Sequence, residues 1–120
     1  MTTLNNIGLV YDSPKCWGQA LEYYERALPI SEEVGDRAGL ATTLNNIGLV
    51  YRKLGQTGQA LEYYERALPI REEVGDRAGL ATTLNNIGLV YRKLGQTGQA
   101  LEYYERAPPI REEVRLAGWR

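Results

Sequence analysis

The sequence predicts an all-α protein of three tandem helix-turn-helix units, six helices in all, stacked as an α-solenoid. Three observations carry that expectation. Residues 41–67 recur identically as 81–107, and 18–30 recur as 58–70, so the chain copies itself with a period of 40. Within each period, two stretches place apolar residues at helical spacing. Gly and Asp punctuate those stretches at fixed offsets, as helix ends require. The expectation is one array over residues 1–120, with repeats at 1–40, 41–80 and 81–120.

The first unit begins at Met1, already inside its first helix. It lacks the "GDRAGL" that opens the other units, which leaves Thr2 or Thr3 as the cap. Its turn, "YDSPKCWGQA" at 11–20, departs from the "YRKLGQTGQA" of 51–60 and 91–100. Pro14 disfavours helix at Ser13, so the first helix should stop near Asp12. Ser13 then fits as an N-cap with Pro14 at the first helical position, starting the second helix up to a turn early. Cys16, a lone thiol without a His or metal partner in sequence, carries no catalytic or redox expectation.

The middle unit shows the full pattern. In its first helix, between Asp36 and Leu54, residues Ala41, Leu44, Ile47, Gly48, Tyr51 and Leu54 share one face. Gly48 lies mid-face; it costs the helix ~1 kcal/mol relative to Ala, and its bare Cα lets another helix approach. Asp36 and Asp76 are expected N-caps, each after a helix-ending glycine (Gly35, Gly75). Gly55 and Gly95 should end the first helices, with Thr57 and Thr97 capping the second. In the second helix Ala60, Tyr64 and Ala67 centre an apolar face with Val74 near it, widened by Leu61, Tyr63, Leu68 and Ile70. An arc that wide implies packing on two sides. Pro69, like Pro29 and Pro109, points away from it, so the helix should bend around the core rather than break. In the last unit Arg115 stands where a stop glycine would, so the final helix should run on to about Ala117. Pro108 beside Pro109 should make it the most distorted.

Composition narrows the function. The 120 residues carry a net charge of −1, 43% hydrophobic residues, one Cys and no His. Without His the commonest general base is missing. Ser occurs only at 13 and 31, and neither a phosphate-cradling glycine loop nor zinc spacing is present. The expectation is therefore no enzyme, no metal and no cofactor. The near-neutral charge points to neither nucleic acid nor an anionic membrane. No apolar run approaches the ~20 residues of a membrane span, and the N-terminus does not read as a signal peptide. The expected setting is cytoplasmic.

The positions Leu44, Ile47-Gly48, Tyr51, Ala60, Tyr64 and Ala67 resemble the signature of the tetratricopeptide repeat (TPR) family: L-G-x-x-Y in the first helix, then A-x-x-x-F and a further Ala in the second. The set recurs as Leu4, Ile7-Gly8, Tyr11, Ala20, Tyr24, Ala27 and as Leu84, Ile87-Gly88, Tyr91, Ala100, Tyr104, Ala107. The period exceeds the family's usual 34. A longer form near 40 is similar to kinesin light chains, to Pins-type spindle-orientation adaptors and to bacterial regulatory arrays. Trp17 occupies a place where the family most often has an aromatic residue. A HEAT-like helical pair is the alternative fold, and it leaves the Gly and Ala positions unexplained. The resemblance implies a right-handed superhelix with first helices lining the concave face, and an adaptor that holds a protein or peptide there.

The first helices carry a second stripe opposite the core. Its candidate partner-binding residues are Asn5, Asn6 and Leu9; Asn45, Asn46, Leu49, Arg52 and Lys53; and Asn85, Asn86, Leu89, Arg92 and Lys93. Thr2, Thr42 and Thr82 lie on the same stripe. Asn both donates and accepts, so rows of it can read a peptide backbone. Adjacent Asn residues mid-helix are poor choices for helix stability alone. The plainer reading is a solvated polar face whose basic pairs sit at helix C-termini, where the dipole favours them. The family's chaperone-binding members clamp a carboxylate with Lys and Arg at positions held here by Asn5, Leu9, Asn46, Thr82 and Asn86, so chaperone-tail binding is not expected. The ends lack a polar covering helix, which predicts self-association involving Trp17, Leu116 and Trp119. The rival reading is thus a structural, self-associating module, or part of a longer scaffold, with no ligand of its own.

Overall fold

The structure, a computed structural model, describes residues 16–118, with side chains described as far as Ala107. Five helices follow one another: α1 (Trp17–Val34), α2 (Arg37–Lys53), α3 (Thr57–Glu73), α4 (Arg77–Lys93) and α5 (Thr97–Gly118). The helix expected within residues 1–12 lies outside the described residues, so five of the six expected helices are described.

The helix ends follow the punctuation. Gly35, Gly55, Gly75 and Gly95 all have φ between 72° and 79°, the left-handed region that favours glycine. At the first of these, the Gly35 N–H donates to Glu32 O at 3.3 Å and the Asp36 N–H to Ser31 O at 3.0 Å. These bonds satisfy carbonyls that the helix leaves open. Asp36 and Asp76 cap α2 and α4, with Oδ1 accepting from the Gly39 and Gly79 N–H at 2.8 and 2.9 Å.

Three expected starts are corrected. Thr57 does not cap α3; it is already its first residue, and Gln56 holds the cap position without a side-chain bond. The glycine turn leaves only Gln56 ahead of the helix, and Ala60 N–H bonds to its carbonyl at 3.0 Å. Thr97 likewise is the first residue of α5, where Ala100 N–H bonds to Gln96 O at 3.0 Å. Nor does α1 begin at Pro14. It begins at Trp17, with Cys16 as N-cap and Ala20 N–H bonding to Cys16 O at 2.9 Å. This is the register of α3 and α5. It is fixed by Ala20 and Tyr24, which pack into one cluster with Ile47 and Val50 of α2 and with Trp17. Tertiary packing thus overrides the local Pro14 signal.

Both faces of each first helix are used. In α2, Leu40, Ala41 and Leu44 pack with Ala67 and Ile70 of its own partner α3, while Ile47 and Val50 pack back onto α1. In α4, Leu80, Ala81 and Leu84 meet Ala107 of α5, while Ile87 and Val90 meet Ala60 and Tyr64 of α3. Gly48 is needed where it stands: a Cβ there would come within 2.7 Å of the buried Tyr64 ring and 3.2 Å of the Ala60 carbonyl. Leu54 and Val74 leave the expected core face, each 40% exposed, because they are the C-cap residues where the chain turns off the packed surface. Pro29 and Pro69 are exposed and α1 and α3 run through them, while α5 continues through Pro108 and Pro109 to Gly118.

Candidate functional site

Beyond consecutive helices, α2 and α4 meet each other directly. The contact is polar. Asn45 Oδ1 accepts from Thr83 Oγ1 at 3.2 Å and from Asn86 Nδ2 at 3.3 Å. Two side chains predicted for partner contact, Asn45 and Asn86, thus form a joint between units with Thr83. Oxygen lone pairs on a half-buried amide are satisfied there instead of by water. Thr83 and its counterpart Thr43 are buried, and sequence reading passed over both. Thr43 Oγ1 donates to Gly39 O at 2.9 Å, which is how a hydroxyl is housed within a helix.

The remaining predicted residues spread along the same strip. Asn46, Leu49, Asn85 and Leu89 are half-buried, as are Arg52 and Lys53, whereas Arg92 and Lys93 are exposed. Thr42 and Thr82 are exposed, their hydroxyls donating to Ala38 and Ala78 carbonyls at 3.1 Å. At one end of the strip a cleft of about 320 Å³ opens between Arg52, Lys53, Leu89 and Lys93. All four were singled out by the spacing of the sequence, and the structure brings them together. Asn5, Asn6 and Leu9 lie outside the described residues. So does Trp119, and Leu116 lies in the part of α5 whose side chains are not described. Trp17, expected at an end, is half-buried in the α1–α2 cluster.

Tyrosine pairs join each first helix to the second helix that follows it. Tyr51 stacks on Tyr63, and Tyr91 on Tyr103, with ring centroids 5.6 Å apart in both pairs. Burial, then the carboxylate of Glu25, raises the Tyr51 hydroxyl above its ordinary pKa; burial and Glu65 do the same to Tyr91. Tyr64 is pushed up to about 12 by burial, with Arg52 pulling weakly the other way. Its hydroxyl is buried without a hydrogen-bond partner. The strip offers amides, cations and leucine side chains.

Comparison with known proteins places these features. The tetratricopeptide repeat model matches residues 1–73 and again 59–113. No curated protein matches in sequence. Among solved structures, BtubC (BKLC) from P. vanneervenii superposes with TM-score 0.87 at 29% identity, over 95% of this chain and 47% of that one. The TPR domain of Arabidopsis FLU superposes with TM-score 0.85 at 17% identity, over 93% of this chain and 94% of that one. The nearly identical TPR-like repeats of a Podospora anserina kinesin light chain give TM-score 0.78 at 16% identity, over 94% of this chain and 56% of that one. This chain spans about half the length of the BtubC chain.

Proposed function

The chain belongs to the tetratricopeptide repeat family, and from that premise we propose that it holds a protein or peptide partner along the strip formed by α2 and α4. Repeats of this family generally serve protein–protein interaction, and their arrays are typically scaffolds without catalysis. No described helix is long and apolar enough to cross a membrane. The observation that carries the reading is the alignment of half-buried Asn46, Leu49, Asn85 and Leu89 on two adjacent first helices, ending in a cleft. Half-buried amides and leucines are the mixture that peptide-binding surfaces use, apolar contact with a few placed hydrogen-bonding groups. Asn5, Asn6 and Leu9 extend the same residues into the first unit, and the proposed setting is cytoplasmic.

The test is capture of partners by the intact chain and by variants carrying Asn46→Ala with Asn85→Ala, or Leu49→Ala with Leu89→Ala. Loss of capture with unchanged melting temperature is the expected result. Unchanged capture by both variants contradicts it.

A second reading, self-association, is favoured by one contrast. Leu21 and Leu61 are half-buried against the following unit's first helix, whereas Leu101 is 52% exposed. Another unit's first helix packed on α5 would cover it. Leu101→Glu should then lower the mass seen by light scattering at high concentration, and a mass that does not depend on concentration contradicts this reading.

A further inference from the structure

Each second helix presents one face to the first helix of the following unit. On α1 that face is Ala20, Leu21 and Tyr24, seated against Ile47 and Val50 of α2. On α3 it is Ala60, Leu61 and Tyr64, seated against Ile87 and Val90 of α4. Residues 97–107 of α5 repeat 57–67 of α3 without a change, so Ala100, Leu101 and Tyr104 make the same face a third time. There it is open. Tyr24 and Tyr64 are buried, whereas Tyr104 is half-buried, and Leu101 is exposed where Leu21 and Leu61 are half-buried. The chain turns at Gly35 and Gly75 into the next first helix, but α5 runs on to Gly118 and no described helix turns back over it. The polar contacts follow the same division. Asn45 Oδ1 of α2 accepts from Thr83 and Asn86 of α4. Its counterpart Asn85 is half-buried and makes no side-chain hydrogen bond among the described residues. Tyr91 Oη of α4 donates to Glu65 Oε1 of α3 at 3.5 Å, while Glu105, the counterpart on α5, is exposed.

The matching half is also written three times. Residues 2–11 are identical with 42–51 and 82–91, so Thr3, Asn6, Ile7, Val10 and Tyr11 correspond to Thr83, Asn86, Ile87, Val90 and Tyr91. The 120 residues thus hold three receiving faces and three docking stretches. Two pairs are mated, α2 on α1 and α4 on α3, which leaves the face of α5 and residues 2–11. We propose that the outer face of α5 receives residues 2–11 of a second copy of this chain, in the geometry with which α3 receives α4. This rests on the self-association reading and adds the docking segment, the polarity and the way the assembly grows. Thr3 and Asn6 of the arriving copy supply the donors that Asn85 Oδ1 lacks, Ile7 and Val10 cover Leu101 and Tyr104, and Tyr11 meets Glu105. The contact joins two different surfaces, so every bound copy offers a new α5 face and growth stays open instead of stopping at a dimer. The joint is weaker than those inside the chain. Pro108 stands where Leu28 and Leu68 border the inner clusters, so the receiving face is one leucine smaller. No covalent connection holds the two halves near each other, so association depends on concentration.

The test follows the mass of the full chain by light scattering over about a hundredfold range of concentration. The mass should climb past twice 13.5 kDa without a plateau there. Leu101→Glu spoils the receiving face and Ile7→Glu the docking stretch, because each would bury an unpaired charge in the joint, so each variant alone should stay at one chain. Mixed in equal amounts they should form a dimer of one of each and grow no further, since each keeps one intact half. Leu101 is exposed, so its replacement spares the fold, and equal helical circular dichroism checks both variants. Should Ile7→Glu lose helix, Ile7→Ala, a stronger helix former, takes its place and should weaken association at least several-fold. A mass of one chain at every concentration overturns the proposal and the self-association reading together, and is the result of a face kept for a different protein. With association intact, the proposal alone falls if the Ile7 variant associates as well as the unaltered chain, which two α5 faces meeting each other would produce. It falls equally if the mixed variants stay at one chain.

Discussion

Gly48 and Gly58 are the same residue type in opposite situations. Both sit in helices, but Gly48 faces the Tyr64 ring while nothing lies within 4 Å of a Cβ built on Gly58. Gly58→Ala should therefore stabilise the fold by about 0.5–1 kcal/mol through a stiffer unfolded chain. Gly48→Ala gains a similar helix propensity, but crowding a buried, rigid ring costs ~1–3 kcal/mol, so the net change should be destabilising. Urea titration of both variants reads the two signs directly. Tyr64 itself sets a pH dependence. Its hydroxyl rises from an ordinary 10.0 to about 12, so the neutral form is favoured in the folded state. The unfolded chain loses its proton near pH 10 while the folded one keeps it, so stability present below pH 10 drains away between pH 10 and 12. The loss is on the order of 2 kcal/mol, at 1.36 kcal/mol per unit of pKa. Tyr64→Phe should flatten that loss. Because it also removes a buried hydroxyl without a partner, it should raise stability at neutral pH by about 1 kcal/mol. The residues of this core were legible in sequence because their spacing repeats. The Asn45 joint was not, because its partners Thr83 and Asn86 stand 38 and 41 residues away and no local pattern links them.

At the scale of helices, the caps of α2 and α4 look alike and should differ in strength. Asp36 and Asp76 both accept from the glycine three residues on, but Asp76 Oδ2 also meets Arg71 Nη1 at 2.6 Å. Arg71 is nearly enclosed, its side chain 9% exposed, and the first unit has Ser31 at that place. Asp36→Ala should cost ~1 kcal/mol, the ordinary price of a cap. Asp76→Ala also strands the enclosed guanidinium. That penalty is tempered by the 42% exposure of the Asp76 side chain, so the total should reach about 2 kcal/mol. Thermal or urea denaturation of the two variants, with Arg71→Ser as background, isolates the ion pair. Helix ends at glycine and caps at Asp were readable because each has one local cause. The starts of α1, α3 and α5 were misread for the same reason: Ser13, Thr57 and Thr97 are good local caps, yet the register is chosen by Ala20, Ala60 and Ala100, buried against their neighbours.

For the whole molecule, a 40-residue unit buries one face of each helix on its partner and the other on the next unit. Stability and shape are therefore shared along the array rather than centred in one core. The repeat of Ile47 and Val50 as Ile87 and Val90 made this stacking readable. The inner strip follows from it, since stacking brings α2 and α4 together and aligns their polar stripes. The cleft at its end needs the relative placement of two helix termini, which spacing within one unit does not encode. The central claim is that this inner strip is where a partner rests. Amide hydrogen exchange, measured with and without a captured partner, addresses it helix by helix. Slower exchange concentrated in α2 and α4, around Asn46 to Lys53 and Asn86 to Lys93, is the predicted result. Protection confined to α3 and α5, with α2 and α4 unchanged, would contradict it.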